Sequence, residues 1–251
     1  MSMLNPFEAS QLAGSTGVTK ANYPFVKAFL LAIMGGLFVG FGPLSSIVST
    51  SIFGPWGRLI GSMLFPAGLV LIVLVGGAVF TGNCLLGAAF FIKQITFKAF
   101  VRDLIIVWFG NLLGAIFLSF IIVNSNVLSD ASMTNTAIKF AQDKMNITFF
   151  QGVCSGFLCN ILAAGAIWQS YAAKDTAGKI TACWIPIMIF VYLGFQNIVA
   201  NMTYLSIAKL LLPGIYTIKE IIINNFIPVS IGNFLSGGIF LPLVYKHIHK
   251  H

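Results

Sequence analysis

Charge is what this chain has least of. Lys, Arg, Asp and Glu make up 8% of its 251 residues, against the roughly 25% usual for a soluble domain, while 58% of the residues are hydrophobic. Only six residues are acidic: Glu8, Asp103, Asp130, Asp143, Asp175 and Glu220, all read as loop or tail positions. The histidines, His247, His249 and His251, are confined to the C-terminal tail. The long apolar runs therefore contain no Asp, Glu or His, the groups with which cation-coupled transporters and proton pumps move their cargo. That excludes a proton relay of side chains across the bilayer. It also excludes hydrolytic chemistry there, because there are no paired carboxylates and no Ser/His/Asp set. Cys84, Cys154, Cys159 and Cys183 lack metal-ligand spacing and read as small packing residues, so neither a metal nor a cofactor is expected.

What is present is a set of six uncharged runs: Ala28–Gly57, Leu59–Ile92, Leu104–Val123, Met145–Ala173, Ile180–Ala208 and Ile221–Tyr245. A helix crosses the hydrocarbon core with about 20 apolar residues, so each run is a candidate span. Strict alternation over about 10 residues, the mark of a membrane barrel strand, does not occur. The chain reads as an all-α integral membrane protein. Residues 1–24 form a polar N-terminal segment, 25–246 the membrane domain and 247–251 a tail. The net charge of +8 lies in short loops and does not point to nucleic acid. With the N-terminus inside, Lys20, Lys27, Lys93, Lys98, Arg102, Lys174, Lys179, Lys246 and Lys250 face the cytoplasm. Arg58, Lys139, Lys144, Lys209 and Lys219 face out. The excess inside places both termini in the cytoplasm of a plasma or inner membrane.

Two runs are too long for one crossing, 34 residues for Leu59–Ile92 and 29 for Ile180–Ala208. Their second halves hold "VFTGNCLLG" and "GFQNIVANM", each with glycine and polar residues. A helix broken at membrane depth is tolerated only where protein or a cavity surrounds it, and matching breaks in two halves point to a substrate site. "GNLLGAIF" (110–117) and "GNFLSGGIF" (232–240) agree with one residue inserted. Three spans per half make this a 3+3 inverted repeat with broken second and fifth helices. Gly40, Gly42 and Pro43 are expected to interrupt the first helix as well. The exposed N–H groups of half-helix N-termini favour negative charge, so the expected cargo is a small anion or a neutral molecule. Lys144, beside a span start, is either an interfacial anchor with a snorkelling stem or an attractor of anions into a vestibule.

These motifs together resemble the formate/nitrite transporter family over roughly residues 20–246. "VFTGN" is similar to the family's second-span break, "CNILAAGAIW" (159–168) to its fourth span, "GFQNIVANM" to its fifth-span break and "GNFLSGGIF" to its sixth span. The resemblance implies a homopentamer with one pore per protomer, each built on an aquaporin-like repeat in the lipid bilayer. It implies small weak-acid anions and protons as cargo, the anions being formate, acetate, nitrite or hydrosulfide. By position, Thr81 and Asn197 would hydrogen-bond the substrate, and Lys144 and Asn160 would form a polar pair flanking the pore. Val79, Phe80, Phe190 and Ala163 would line constrictions. Gly82, Asn83, Gly194, Gln196 and Asn201 would belong to the broken-helix loops.

The chain departs from the family at one place. Gln196 and Asn197 stand where the family usually has glutamate and histidine, so neither break carries an ionisable group. The expected mechanism is proton-linked passage, in which the anion is protonated from vestibule water. The alternatives are an electrogenic anion channel and an aquaporin-like neutral-solute channel. The last normally carries Asn-Pro-Ala at both half-helices, and "VANM" has no proline.

Overall fold

The computed structural model describes residues 3–249. Lys250, His251, Met1 and Ser2, parts of the expected tail and N-terminal segment, lie outside the described residues. The fold is helical throughout. Helix α1 (Pro6–Ala21) precedes the first span, α2 (Phe25–Phe53). The second span is split into α3 (Gly57–Leu64) and α4 (Ala67–Val75), then, after a break, α5 (Phe80–Asn83) and α6 (Leu86–Phe91); α7 (Phe97–Asn124) is the third. The second half repeats the order. A short helix α8 (Ala131–Met145) precedes α9 (Phe149–Ala172), the fourth span. The fifth is α10 (Thr176–Leu193), a break, and α11 (Ile198–Leu211). The sixth runs through α12 (Ile218–Ile221), α13 (Ile227–Phe234) and α14 (Leu241–His249), joined by two π-helical turns.

The two breaks share one construction. Gly76 and Gly194, 118 residues apart, end α4 and α10 with φ of 110° and 80°. That is backbone only glycine adopts without strain. After each glycine the chain leaves the helix for three residues, the last of them, Val79 or Asn197, extended, and restarts as a half-helix. A buried asparagine from the following span latches each break. Asn111 Oδ1 accepts from Phe80 N at 2.8 Å, and its Nδ2 donates to Ala78 O and Ala32 O at 2.8 and 2.7 Å. Asn233 Oδ1 accepts from Ile198 N at 3.0 Å, and its Nδ2 donates to Gln196 O and Gly156 O at 3.1 and 2.7 Å. Unpaired backbone groups at membrane depth cost several kcal/mol each by general estimate, and these amides supply the missing partners.

The same register extends beyond the spans. Thr96 and Thr217, 121 apart, are both N-caps, whereas Asn111 and Asn233 are 122 apart. The extra residue is absorbed by the π-turn at Ile222–Phe226. A second inserted residue, the one visible between "GNLLGAIF" and "GNFLSGGIF", is absorbed by the π-turn at Leu235–Phe240. One residue added to a helix without unwinding it is what a π-turn accommodates. The helices before the first and fourth spans are mates too: Lys20 near the end of α1 and Lys144 near the end of α8 are 124 apart.

Several expectations are corrected. The first helix is not interrupted, and α2 runs continuously through Pro43. Its glycines serve close packing instead: a Cβ on Gly40 would meet the Leu118 side chain at 2.4 Å, and one on Gly42 would meet the Phe65 ring at 2.8 Å. Gly82 and Asn83 lie in α5 and Asn201 lies in α11, so only Gly194 and Gln196 of the expected loop residues are in a break. Asp103 is not in a loop. It sits inside α7 with 4% of its surface exposed. The N-terminal segment is mostly helix, started by an Asn5–Glu8 capping box, and α14 carries His247 and His249 rather than leaving them in a free tail.

Candidate functional site

Two cavities approach the breaks, and they share no lining residue. The first, about 460 Å³, is bordered by α1, by the break at Gly76–Val79 and by Lys20, Asn83 and Asp103. The second, about 430 Å³, is bordered by Arg58, Phe65, Lys144, Phe190, Gln196, Asn197 and Tyr204. Lys174 and Lys179 border the first cavity with Lys20, while Arg58 and Lys144 border the second. The cations thus divide between the cavities as the loop-charge reading grouped them.

Asn197 is held by its own helix. Its Oδ1 accepts from Val199 N at 3.0 Å and Ala200 N at 3.2 Å, capping α11. Those contacts use the oxygen and leave the amide nitrogen as the donor, within reach of the buried Cys159 thiol, at the edge of the cavity that Asn197 borders. The position presents a fixed donor that does not titrate. Its repeat mate Val79 caps α5 without any side-chain bond. The other amides of "GFQNIVANM" are internal. Asn201 Nδ2 donates to Gln196 Oε1 at 2.7 Å and to Asn225 Oδ1 at 2.9 Å, and Gln196 N donates to Ser155 Oγ at 3.1 Å. The amides of this stretch therefore mostly brace the break, with Gln196 and Asn197 at the cavity.

Lys144 closes α8 and reaches over the second break. Its Nζ donates to Phe195 O at 3.4 Å and lies 5.7 Å from the centroid of the Tyr204 ring. Burial pushes its ammonium down to about 8, with Arg58 across the cavity adding to the shift and Asp143 opposing it. Asn160 does not border that cavity. It is fully buried, donating from Nδ2 to Thr81 O at 3.2 Å and Asn233 O at 2.7 Å, and so ties α9 to the half-helix α5 and to the sixth span. The expected Lys144–Asn160 pair is separated into a cavity cation and a structural amide.

Among the constriction residues, Val79 borders the α1-side cavity and Phe190 the opposite one. Phe80, Thr81 and Ala163 border neither and are buried in the layer between them. Phe65, which the sequence did not single out, packs edge-on to Phe190 with centroids 5.9 Å apart. The layer separating the cavities is thus apolar on both faces.

The larger omission is on the α1 side. Lys20 Nζ donates to Asn83 Oδ1 at 2.9 Å, and Asn83 Nδ2 donates to Asp103 Oδ2 at 2.8 Å. Burial pushes the Lys20 ammonium below the usual lysine range, and Asp103 pulls it back up. Aligning the halves on their Gly-Asn motifs, 122 apart, sets Lys20 opposite Gln142, two residues short of Lys144, so this pairing emerges only from the helices themselves.

Two cavities, each with a deep cation, lie on either side of the buried layer that holds Phe80, Thr81 and Ala163, beside the starts of the two half-helices. That is a pore for small solutes. The formate/nitrite transporter family profile matches residues 8–247. The formate channel BtFdhC of Bacillus thuringiensis is 33% identical over 250 residues, spanning 98% of this chain and 95% of that protein. Among solved structures, an FNT family ion channel matches with a TM-score of 0.88 at 25% identity, over 96% of this chain and 98% of that one. A pentameric formate channel with formate bound matches at 0.79 and 29% identity, over 90% and 98%. This protein is a multi-pass membrane transport protein for small anions, not an enzyme, and it belongs to the formate/nitrite transporter family.

Proposed function

We propose that the chain forms a homopentamer in a plasma or inner membrane, termini in the cytoplasm, and passes small weak-acid anions such as formate, acetate, nitrite or hydrosulfide through one pore per protomer. The observation that carries this reading is the pairing of Lys144 with the fixed Asn197 donor in one cavity, directly before an apolar layer. Lys144 and Arg58 concentrate the anion. The layer around Phe80 and Phe190 then disfavours its charged form, because low dielectric raises an acid's pKa. A carboxylic acid starts near pKa 4, so a shift of a few units lets it take a proton from vestibule water. The neutral acid crosses, held briefly by Thr81 and Asn197. The proton comes with the solvent, since no side chain at the breaks supplies one.

The test is labelled formate and acetate uptake into transporter-deficient cells across external pH, with electrical recording alongside. Uptake is expected to climb as the medium is acidified, with no net current, because anion and proton cross together. Uptake indifferent to the proton gradient, accompanied by current, would reject proton linkage and leave an electrogenic anion channel. Asn197→His is expected to add a titration near the ordinary histidine pKa of about 6.5 to a wild-type profile that lacks one.

Lys144 makes a separate prediction at alkaline pH. A lysine titrating at about 8 is cationic below that value and neutral above it. Anion capture from its side should therefore weaken as external pH rises through 8, beyond the decline set by the acid itself. Lys144→Arg, which stays charged, should remove that extra decline and leave the rest of the profile in place.

A further inference from the structure

The two deep lysines are repeat mates, yet their surroundings are unlike. Asp103 on α7 has Asn225 as its mate, 122 residues on, and Asn83 has Asn201, 118 on. The wiring is conserved in outline. In the first half Lys20 donates to Asn83, which donates to Asp103. In the second, Asn225 donates to the Lys144 carbonyl at 2.7 Å and accepts from Asn201 at 2.9 Å. The difference is one of charge: a carboxylate completes the first chain and an amide the second.

The orientation of Asn83 follows from its partners. Because Lys20 can only donate, it takes the Asn83 oxygen and leaves the nitrogen facing Asp103. That nitrogen, with the Lys20 ammonium behind it, faces the Asp103 carboxyl. Asp103 borders the α1-side cavity together with Lys20. Among the described residues, no carboxylate occupies the equivalent depth opposite. Asp143 borders the second cavity, but its side chain is 62% exposed and pairs with Lys139 at 3.5 Å. Lys174 is exposed and Lys179 half-buried at the first cavity. Such outer charges act on encounter rate and salt dependence more than on how long an anion stays.

We propose that Asp103 makes the two anion sites of the pore unequal: Lys20 is already neutralised by its own network, so Lys144 holds a small monovalent anion more tightly. The inference rests on the transport reading above. A passive pore cannot favour one direction at equilibrium, so half-saturation and maximal flux must change together, their ratio staying the same for both directions. The inequality therefore shows as a lower half-saturation concentration, and a proportionately lower maximal flux, when the anion is supplied from the Lys144 side.

The experiment measures zero-trans formate and nitrite flux from each face of proteoliposomes sorted by protease access to the N-terminus. Half-saturation is expected to be about threefold or more lower from the Lys144 side, the size of effect one partly solvated charge produces. Asp103→Asn should bring the two values together by lowering the α1-side value. Asn225→Asp should raise the Lys144-side value. Both changes are nearly isosteric, and a reciprocal shift in maximal flux is not something partial misfolding generates. Equal half-saturation in the wild type, or an Asp103→Asn protein whose two values stay as far apart as before, would overturn the proposal while leaving transport intact. Absence of flux for both anions would overturn the transport reading and this proposal with it.

Discussion

Asn233→Leu should lower stability by about 3–5 kcal/mol and abolish transport, and Asn111→Leu should do the same. Leucine is close in size, so the loss is one of hydrogen bonds rather than of volume. Each asparagine satisfies one backbone N–H and two carbonyls around a break. A buried polar group stranded without its partner costs roughly 1–3 kcal/mol, and Asn111 and Asn233 have no exposed surface at which solvent could replace the amide. By the scaling of domains this size, a loss of about 3 kcal/mol lowers the melting temperature by about 6–12 °C. Thermal unfolding of the purified protein in detergent measures this directly. Asn→Asp should not rescue either site: it keeps the acceptor for Phe80 or Ile198 but sets a carboxylate against two carbonyls. If one latch variant melts like the wild type, the equivalence of the breaks fails.

The latches also show where the sequence was informative. Lipid imposes uninterrupted apolar length on any spanning helix, so the six runs were readable directly, and the two overlong ones announced the breaks. The Gly-Asn motif that suggested the repeat carries the latch residues themselves, Asn111 and Asn233. What escaped was anything that depends on which way a side chain turns. Asp103 was assigned to a loop because the apolar run begins at Leu104. The helix starts seven residues earlier, after the Thr96 cap, and Asp103 faces a cavity, while Lys98 and Arg102 beside it are exposed. Hydropathy marks the edge of the greasy stretch, not the end of the helix. The same blindness hid the pairing of α1 with α8, whose sequences share little beyond a lysine in the last turn. Glycine richness misled in the other direction. In α2 it reads as a break, but Gly35 and Gly36 lie where a Cβ would meet backbone oxygens of Ala78 and Asn111 at about 2 Å. Those glycines exist so that a neighbouring span can approach.

Lys144→Met should cut formate flux at low substrate by roughly 10- to 100-fold, while protein yield and melting temperature stay near the wild type. A unit charge about 4 Å from the anion is worth about 4 kcal/mol at an effective dielectric of 20 and about 1 in water. The cavity is wet but bordered by Phe65, Phe190 and Tyr204, which places the effect between those limits, near 1.5–3 kcal/mol. Stability should change little. The Nζ makes one long hydrogen bond, 3.4 Å to Phe195 O, and the Lys144 carbonyl that Asn225 uses is backbone and survives the substitution. Methionine also keeps the apolar stem beside Tyr204. Lys144→Arg should retain most of the flux, since it preserves the charge. Arg58→Met should cost less than Lys144→Met and should lose its effect as salt is added, because Arg58 is exposed at the mouth of the cavity and acts on approach rather than on residence. If instead Lys144→Met melted far below the wild type with flux per folded molecule unchanged, Lys144 would be an anchor with a snorkelling stem, and the positive charge at the pore would have to be supplied by Arg58 alone.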